Sequence, residues 1–316
     1  MLDNTGSMKF IISVLKQHFR DDFSRKGVVV SLLIAAILIL AESVFKVNER
    51  ITNEHSYTFI IYLWDFLRNA FVYYGSTAVL SATGIFHVEN KKRFVAVSLV
   101  GIILFSIYSV FYGYIYAVSN APYPCRLWLH SICENISGIF TLFLPLLLFW
   151  YFFQRREVNG FYGLHFRNLQ FVRYADVILL VVICMFFAMF LPGVSEYYPV
   201  LNDTYYRNCA NYIGLSQWVT ATGFEISYLF DFVWIELFFR GFLVFGMVKF
   251  LGKNVILPMI VLYVVIHFGK PLPEIISSFF GGYLLGILAL HTGNIRTGIL
   301  LHITLALSAE VFGMLL

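Results

Sequence analysis

Long apolar runs return along the whole chain, at 28–41, 94–118, 136–153, 177–191 and 256–266, and polar residues gather mainly in the short stretches between them. With their weakly polar flanks these runs approach the ~20 apolar residues that cross a hydrocarbon core as a helix. The pattern predicts an all-α fold, a polytopic transmembrane helix bundle of eight to ten spans, with nine the central reading. The stretch 217–250 reads as one long kinked helix or as two segments. A signal peptide would leave a polar mature chain behind it, whereas here apolar segments recur to the last residue, so the first run reads as a retained span. Ahead of it, residues 8–20 set Phe10, Ile11, Val14, Leu15 and Phe19 opposite Lys9, Lys16 and Arg20, the arrangement of a short helix lying in the membrane interface. A polar, aromatic loop at 154–175 separates two halves. The expected organisation is therefore a cytoplasmic amphipathic segment over 1–26, N-terminal transmembrane helices with a cytoplasmic loop over 27–175, and a C-terminal transmembrane region over 176–316.

Composition excludes a soluble fold. Of 316 residues, 59% are hydrophobic and 13% charged, about half the ~25% charged content of soluble domains. Membrane lipids are the expected surroundings, and no nucleic-acid partner is expected. The placement of positive charge matters more than the net +4, because basic loops stay on the cytoplasmic side. Basic clusters fall at Lys9 to Lys26, at Lys91, Lys92 and Arg93, at Arg155, Arg156, Arg167 and Arg173, and at Lys249 and Lys253, while the alternate connections lack them. The expected location is a bacterial cytoplasmic membrane, N-terminus inside. Cys125 and Cys209 both fall in connections that this pattern places outside, which leaves either a disulfide or two free thiols there. The four cysteines show no CxxC or Cys/His spacing suited to zinc. Asp65 and Arg68, one turn apart, read as an ion pair, and Gly282 and Gly286 as a step that lets two helices approach closely. No internal repeat is visible, which argues against a transporter built from matching halves.

The last hundred residues hold polar groups that hydropathy alone does not predict. Glu236 and Arg240 stand at i and i+4 in a strongly apolar helix and share a face with Glu225 and Phe232. His267 ends a short span four residues after Tyr263, and His302 lies within the last span. Ionisable residues at membrane depth are costly and mark function more often than packing. In this order, Ile235-Glu236-x-x-x-Arg240-Gly241, Tyr263-x-x-x-His267 and His302-x-x-x-Ala306 resemble the three motifs of the CAAX-protease and bacteriocin-processing membrane proteins, over about 217–316. That family carries Glu-Glu-x-x-x-Arg, Phe-x-x-x-His and His-x-x-x-Asn or Asp.

The resemblance implies a glutamate-dependent intramembrane endopeptidase that works without metal or other cofactor. Glutamate and histidine would activate water, and a second histidine with an asparagine would steady the oxyanion. Carried onto this chain, Glu236, His267 and His302 are the expected catalytic residues, with Arg240, Tyr263 and Glu274 in support. A membrane-associated peptide or a lipidated, prenylated-type protein is the expected substrate. Two positions depart from the pattern: Ile235 replaces the first glutamate and Ala306 the closing asparagine. Glu225, Asp231, Glu274 and Glu310 are the neighbouring carboxylates that could substitute. The alternative is an inactive relative that binds a membrane peptide, as an immunity or partner protein. The charge pattern makes a direct prediction. A cysteine placed at position 92 stays unlabelled by an impermeant maleimide in intact cells, and labelling from outside would overturn the topology.

Overall fold

In a computed structural model, the described residues are 7–158, 160–164 and 174–316, and every regular element among them is helical. The centre of the basic loop, including Phe166, Arg167 and Arg173, lies outside the described residues. The helices are α1 (Ser7–Asp21), α2 (Arg25–Phe45), α3 (Val47–His55), α4 (Phe59–Ala82), α5 (Lys91–Ser109) and α6 (Tyr123–Gln154). They continue with α7 (Ala175–Ala188), α8 (Tyr206–Ile213), α9 (Gln217–Glu236), α10 (Val248–Val265), α11 (Leu272–Thr292) and α12 (Arg296–Leu315).

Six of these, α2, α5, α6, α10, α11 and α12, are long and apolar enough to cross a membrane. The bundle is thus polytopic and all-α. Among the other helices that pack into it, α7 is apolar but shorter, while α4 carries Asp65 and Arg68, and α9 carries Glu225, Asp231 and Glu236. One apolar run is divided: the stretch 94–118 leaves the helix at Ser109 and resumes only as a single turn at Ile115–Val118. Gly113 and a cluster of tyrosines occupy the break, and Tyr62 accepts a hydrogen bond from the Tyr112 amide there.

The core is built around α10. Every residue from Ile256 to Val265 is buried, because α2, α4, α11 and the segment after α9 all pack on it. Side chains such as Leu33, Ile37 and Leu40 on α2, and Leu63, Leu67 and Phe71 on α4, point outward. This suits a lipid surround as apolar as the side chains themselves, where close helix packing, rather than the hydrophobic effect, must hold the bundle together. The pairing of Gly282 and Gly286 serves that packing. A Cβ at Gly282 would stand 2.8 Å from the Tyr263 ring, and one at Gly286 would stand 2.8 Å from Ile256.

Polar groups are tied off at both ends of the bundle. Asp65 pairs with Arg68 and accepts from Asn69 and Ser109, so the ion pair read from their spacing is part of a wider network. Glu157 takes both Arg93 and Lys249. Partial burial alone would raise its carboxyl, but the hydrogen bonds from Lys249 and Arg93 outweigh that and hold it below the usual carboxylate value. At the opposite end Cys125 and Cys209 are joined in a disulfide, which ties the start of α6 to α8. Replacing Gly282 by Val should push α10 from α11 and lower stability by about 1–3 kcal/mol. A melting temperature in detergent equal to that of the wild type would contradict the close approach.

Candidate functional site

Directly after Glu236 the α9 helix widens into π geometry over Leu237–Phe245 without breaking, so the 217–250 stretch is one continuous helix to this point. Such widened turns recur at functional sites. Here the segment is wholly buried from Leu237 to Val244. Phe238 stacks on Phe105 at 4.2 Å between ring centres, and Phe239 meets Tyr263 edge-on at 5.0 Å. The aromatic run that follows the glutamate thus acts as packing that fixes the angle at which Glu236 and Arg240 enter the core.

Glu236 and Arg240 are both fully buried, with Arg240 Nη1 2.9 Å from Glu236 Oε1. The pair is close in distance but is not aligned as a hydrogen bond, and the Nε and Nη2 groups of Arg240 find no hydrogen-bond partner among the described residues. The guanidinium lies instead over the face of Tyr263, 4.1 Å from the ring centre, where the ring's negative face attracts it. From α12, His302 Nδ1 approaches the same Oε1 at 3.0 Å. A carboxylate that faces a guanidinium accepts and does not donate, so Nδ1 carries the proton, and in the neutral ring Nε2 keeps its lone pair. Phe232 packs on the His302 ring at 4.5 Å.

His267 follows the same logic. Its Nδ1 donates to the Tyr263 carbonyl at 2.7 Å, because a carbonyl can only accept, and this again leaves Nε2 as the free nitrogen. Tyr263 stands between the two histidines. Its ring is 4.7 Å from that of His267 and 6.4 Å from that of His302, and its hydroxyl is 3.5 Å from His302 Nε2. Three helices therefore bring Glu236, Arg240, Tyr263 and His267, all buried, together with the half-buried His302. Glu274, expected in support, makes no direct contact with this group among the described hydrogen bonds and ion pairs: it pairs with Lys270 at 2.7 Å and accepts from the Tyr198 hydroxyl at 3.0 Å.

The region that contains this group matches a known family. Residues 217–308 fit the model of type II CAAX prenyl endopeptidases, Rce1-like. Over this region the chain is similar to the CAAX-protease family. No curated protein and no solved structure matches the chain. The family match spans all three motifs, including the two positions that depart from them.

Those departures have different surroundings. Ala306 is buried and brings no polar atom. Ile235, where the family places its first glutamate, lines a polar cleft of about 330 Å³ together with Ile266, Asp65, Arg68, Tyr108, Glu134, Asn135 and Asp231. Of the four carboxylates that could substitute, Asp231 is the one that opens onto this cleft; it lies one turn before Ile235 and accepts from the Tyr108 hydroxyl. Glu225 and Glu310 line a separate cavity, where Glu310 accepts the Val200 and Leu201 amides at 2.9 and 3.1 Å. Glu134 and Tyr108 carried no signal in the sequence beyond being polar groups in apolar helices, since the cleft is assembled from α4, α5, α6 and α9.

Glu236 Oε2, the carboxylate oxygen without a hydrogen-bond partner, points at Gly298. A Cβ there would come within 2.4 Å of it. Gly298→Ala should therefore force the carboxylate away from His302 and cost about 1–3 kcal/mol of stability. A thermal melt indistinguishable from that of the wild type would mean that this oxygen is not held against Gly298.

Proposed function

We propose that this chain is an intramembrane endopeptidase of the CAAX type, cutting a peptide or lipidated protein close to the membrane surface, in which His302 serves as the base and Glu236 as its anchor. One observation carries the proposal, the 3.0 Å contact between Glu236 Oε1 and His302 Nδ1. A carboxylate that holds the Nδ1 proton fixes the imidazole tautomer and steadies the imidazolium once Nε2 takes a proton from water. The hydroxide so formed adds to the scissile carbonyl, and the same nitrogen returns the proton to the departing amine. His267, with Nδ1 likewise occupied, offers a second oriented nitrogen on the far side of Tyr263. Placement of the Cys125–Cys209 face outside the cell, with the N-terminus inside, agrees with both the basic loops and the oxidising conditions a disulfide needs.

A second reading rests on the enclosure of the site. Glu236 and Arg240 are wholly buried, and Ile235 and Ala306 supply neither a carboxylate nor an oxyanion donor. Loss of one such donor costs about 2.7–4 kcal/mol in the transition state. On this reading the scaffold binds a membrane peptide without cutting it.

Turnover of a prenylated peptide library in detergent or nanodiscs separates the two. The endopeptidase reading expects wild-type cleavage that falls by about 10²–10⁴ in His302→Ala, and a large loss in Glu236→Gln, which keeps the shape but not the charge. If wild type is inert and the double replacement Ile235→Glu with Ala306→Asn creates activity, the binding reading holds. Cleavage unchanged by either single replacement would remove His302 and Glu236 from the chemistry.

A further inference from the structure

At the membrane face where α1 ends, a second polar group forms from residues outside the three motifs. His18 and Asp22 stand one turn apart, with the Asp22 amide still bonded to the His18 carbonyl at 2.9 Å, so their side chains leave the same face of the chain. His291 reaches them from the last turn of α11. His18 is buried, and only 7% of the Asp22 and His291 side chains is exposed.

The three side chains present ligand atoms to one point. His18 Nδ1 is 3.3 Å from His291 Nε2, and His291 Nε2 is 3.3 Å from Asp22 Oδ2. One ligand atom from each of the three residues lies within 4.8 Å of the other two. At Zn–N and Zn–O lengths near 2.0–2.1 Å, adjacent corners of a tetrahedral zinc site are about 3.3 Å apart. Without an ion the arrangement is poor. Asp22 Oδ2 is buried and makes an ion contact with His291 Nε2 but no hydrogen bond, and two imidazole nitrogens face each other, which at best allows one long hydrogen bond.

The outer atoms are already engaged in the way metal ligands require. His18 Nε2 meets the Tyr283 hydroxyl at 2.8 Å, and Asp22 Oδ1 meets Lys253 Nζ at 2.7 Å. Each contact ties up the atom that would not bind the ion and turns the other toward the common point.

We infer that His18 Nδ1, Asp22 Oδ2 and His291 Nε2 form a zinc site that staples the N-terminal amphipathic helix to the end of α11, with the fourth position left to water. The ligand set, two imidazoles and one carboxylate, suits zinc over calcium or magnesium, which take oxygen ligands. The cysteine and motif-histidine spacings point away from metal, and this site uses none of those residues.

Tag-free, full-length protein in detergent, stripped with chelator and dialysed against Zn²⁺, should retain about one zinc per chain, and Co²⁺ in its place should show the strong visible bands of tetrahedral coordination. His18→Ala and His291→Ala should abolish both signals, and Tyr283→Phe should weaken zinc binding by about 10–100-fold. Zinc should also raise the melting temperature of the wild type and leave that of the two histidine variants unchanged. If those variants are stable only at the level of stripped wild type, the comparison still holds, because both then lack the staple and only one can regain it. Zinc retention equal in wild type and variants, or a Co²⁺ spectrum of octahedral type, would overturn the site.

Discussion

A carboxylate and a guanidinium enclosed together in the core set the terms for the rest of this fold. Transferring either charge alone from water to an apolar interior costs several kcal/mol even after relaxation, and mutual attraction offsets that only if the surroundings hold the pair in place. Glu236 and Arg240 meet that condition through three neighbours: His302 on the carboxylate, the Tyr263 face beneath the guanidinium, and the π-helical turn that carries Arg240. The close approach of α10 and α11 at Gly282 seats Tyr263, and Gly298 leaves room for the second carboxylate oxygen. The packing glycines and the polar group are thus parts of one construction.

The same construction explains how a site that has lost two polar positions can stay organised. In the motifs this chain resembles, the first glutamate is the one set against water and the closing asparagine the one set against the oxyanion, whereas the residues present here hold one another. Glu236 orients His302, the Tyr263 carbonyl orients His267, and Arg240 balances Glu236. In each imidazole Nδ1 is the engaged nitrogen, and His302 Nε2 faces the Tyr263 hydroxyl. The cleft that Ile235 and Asp231 share lies alongside, reached from a different side of α9, so the loss of the first glutamate leaves a polar recess without filling it.

The two ends of the bundle are secured by different chemistry. One face has the Cys125–Cys209 disulfide and the Glu310 carboxylate that receives two loop amides. The other has Glu157 between Arg93 and Lys249, and the His18, Asp22 and His291 group beneath α1. Lipid gives no hydrophobic drive for helices to associate, so these ties, together with close packing, decide how the ends are held.

The sequence by itself determined what depends on local spacing and on solvent. Apolar runs of bilayer length dictate helices, since unpaired backbone cannot face lipid. A period of 3.6 brings Asp65 to Arg68 and Glu236 to Arg240, and also gives α1 its buried stripe. The order of the three motifs singled out Glu236, Arg240, His267 and His302 as candidates. Tertiary structure decided the rest, because it depends on contacts between residues far apart in the chain. Only packing could pair Glu274 with Tyr198, open Asp231 alone of the four carboxylates onto the cleft beside Ile235, and join Cys125 to Cys209. His291 lies 273 positions from His18. No periodicity links them, and their meeting follows only from where α1 docks on α11.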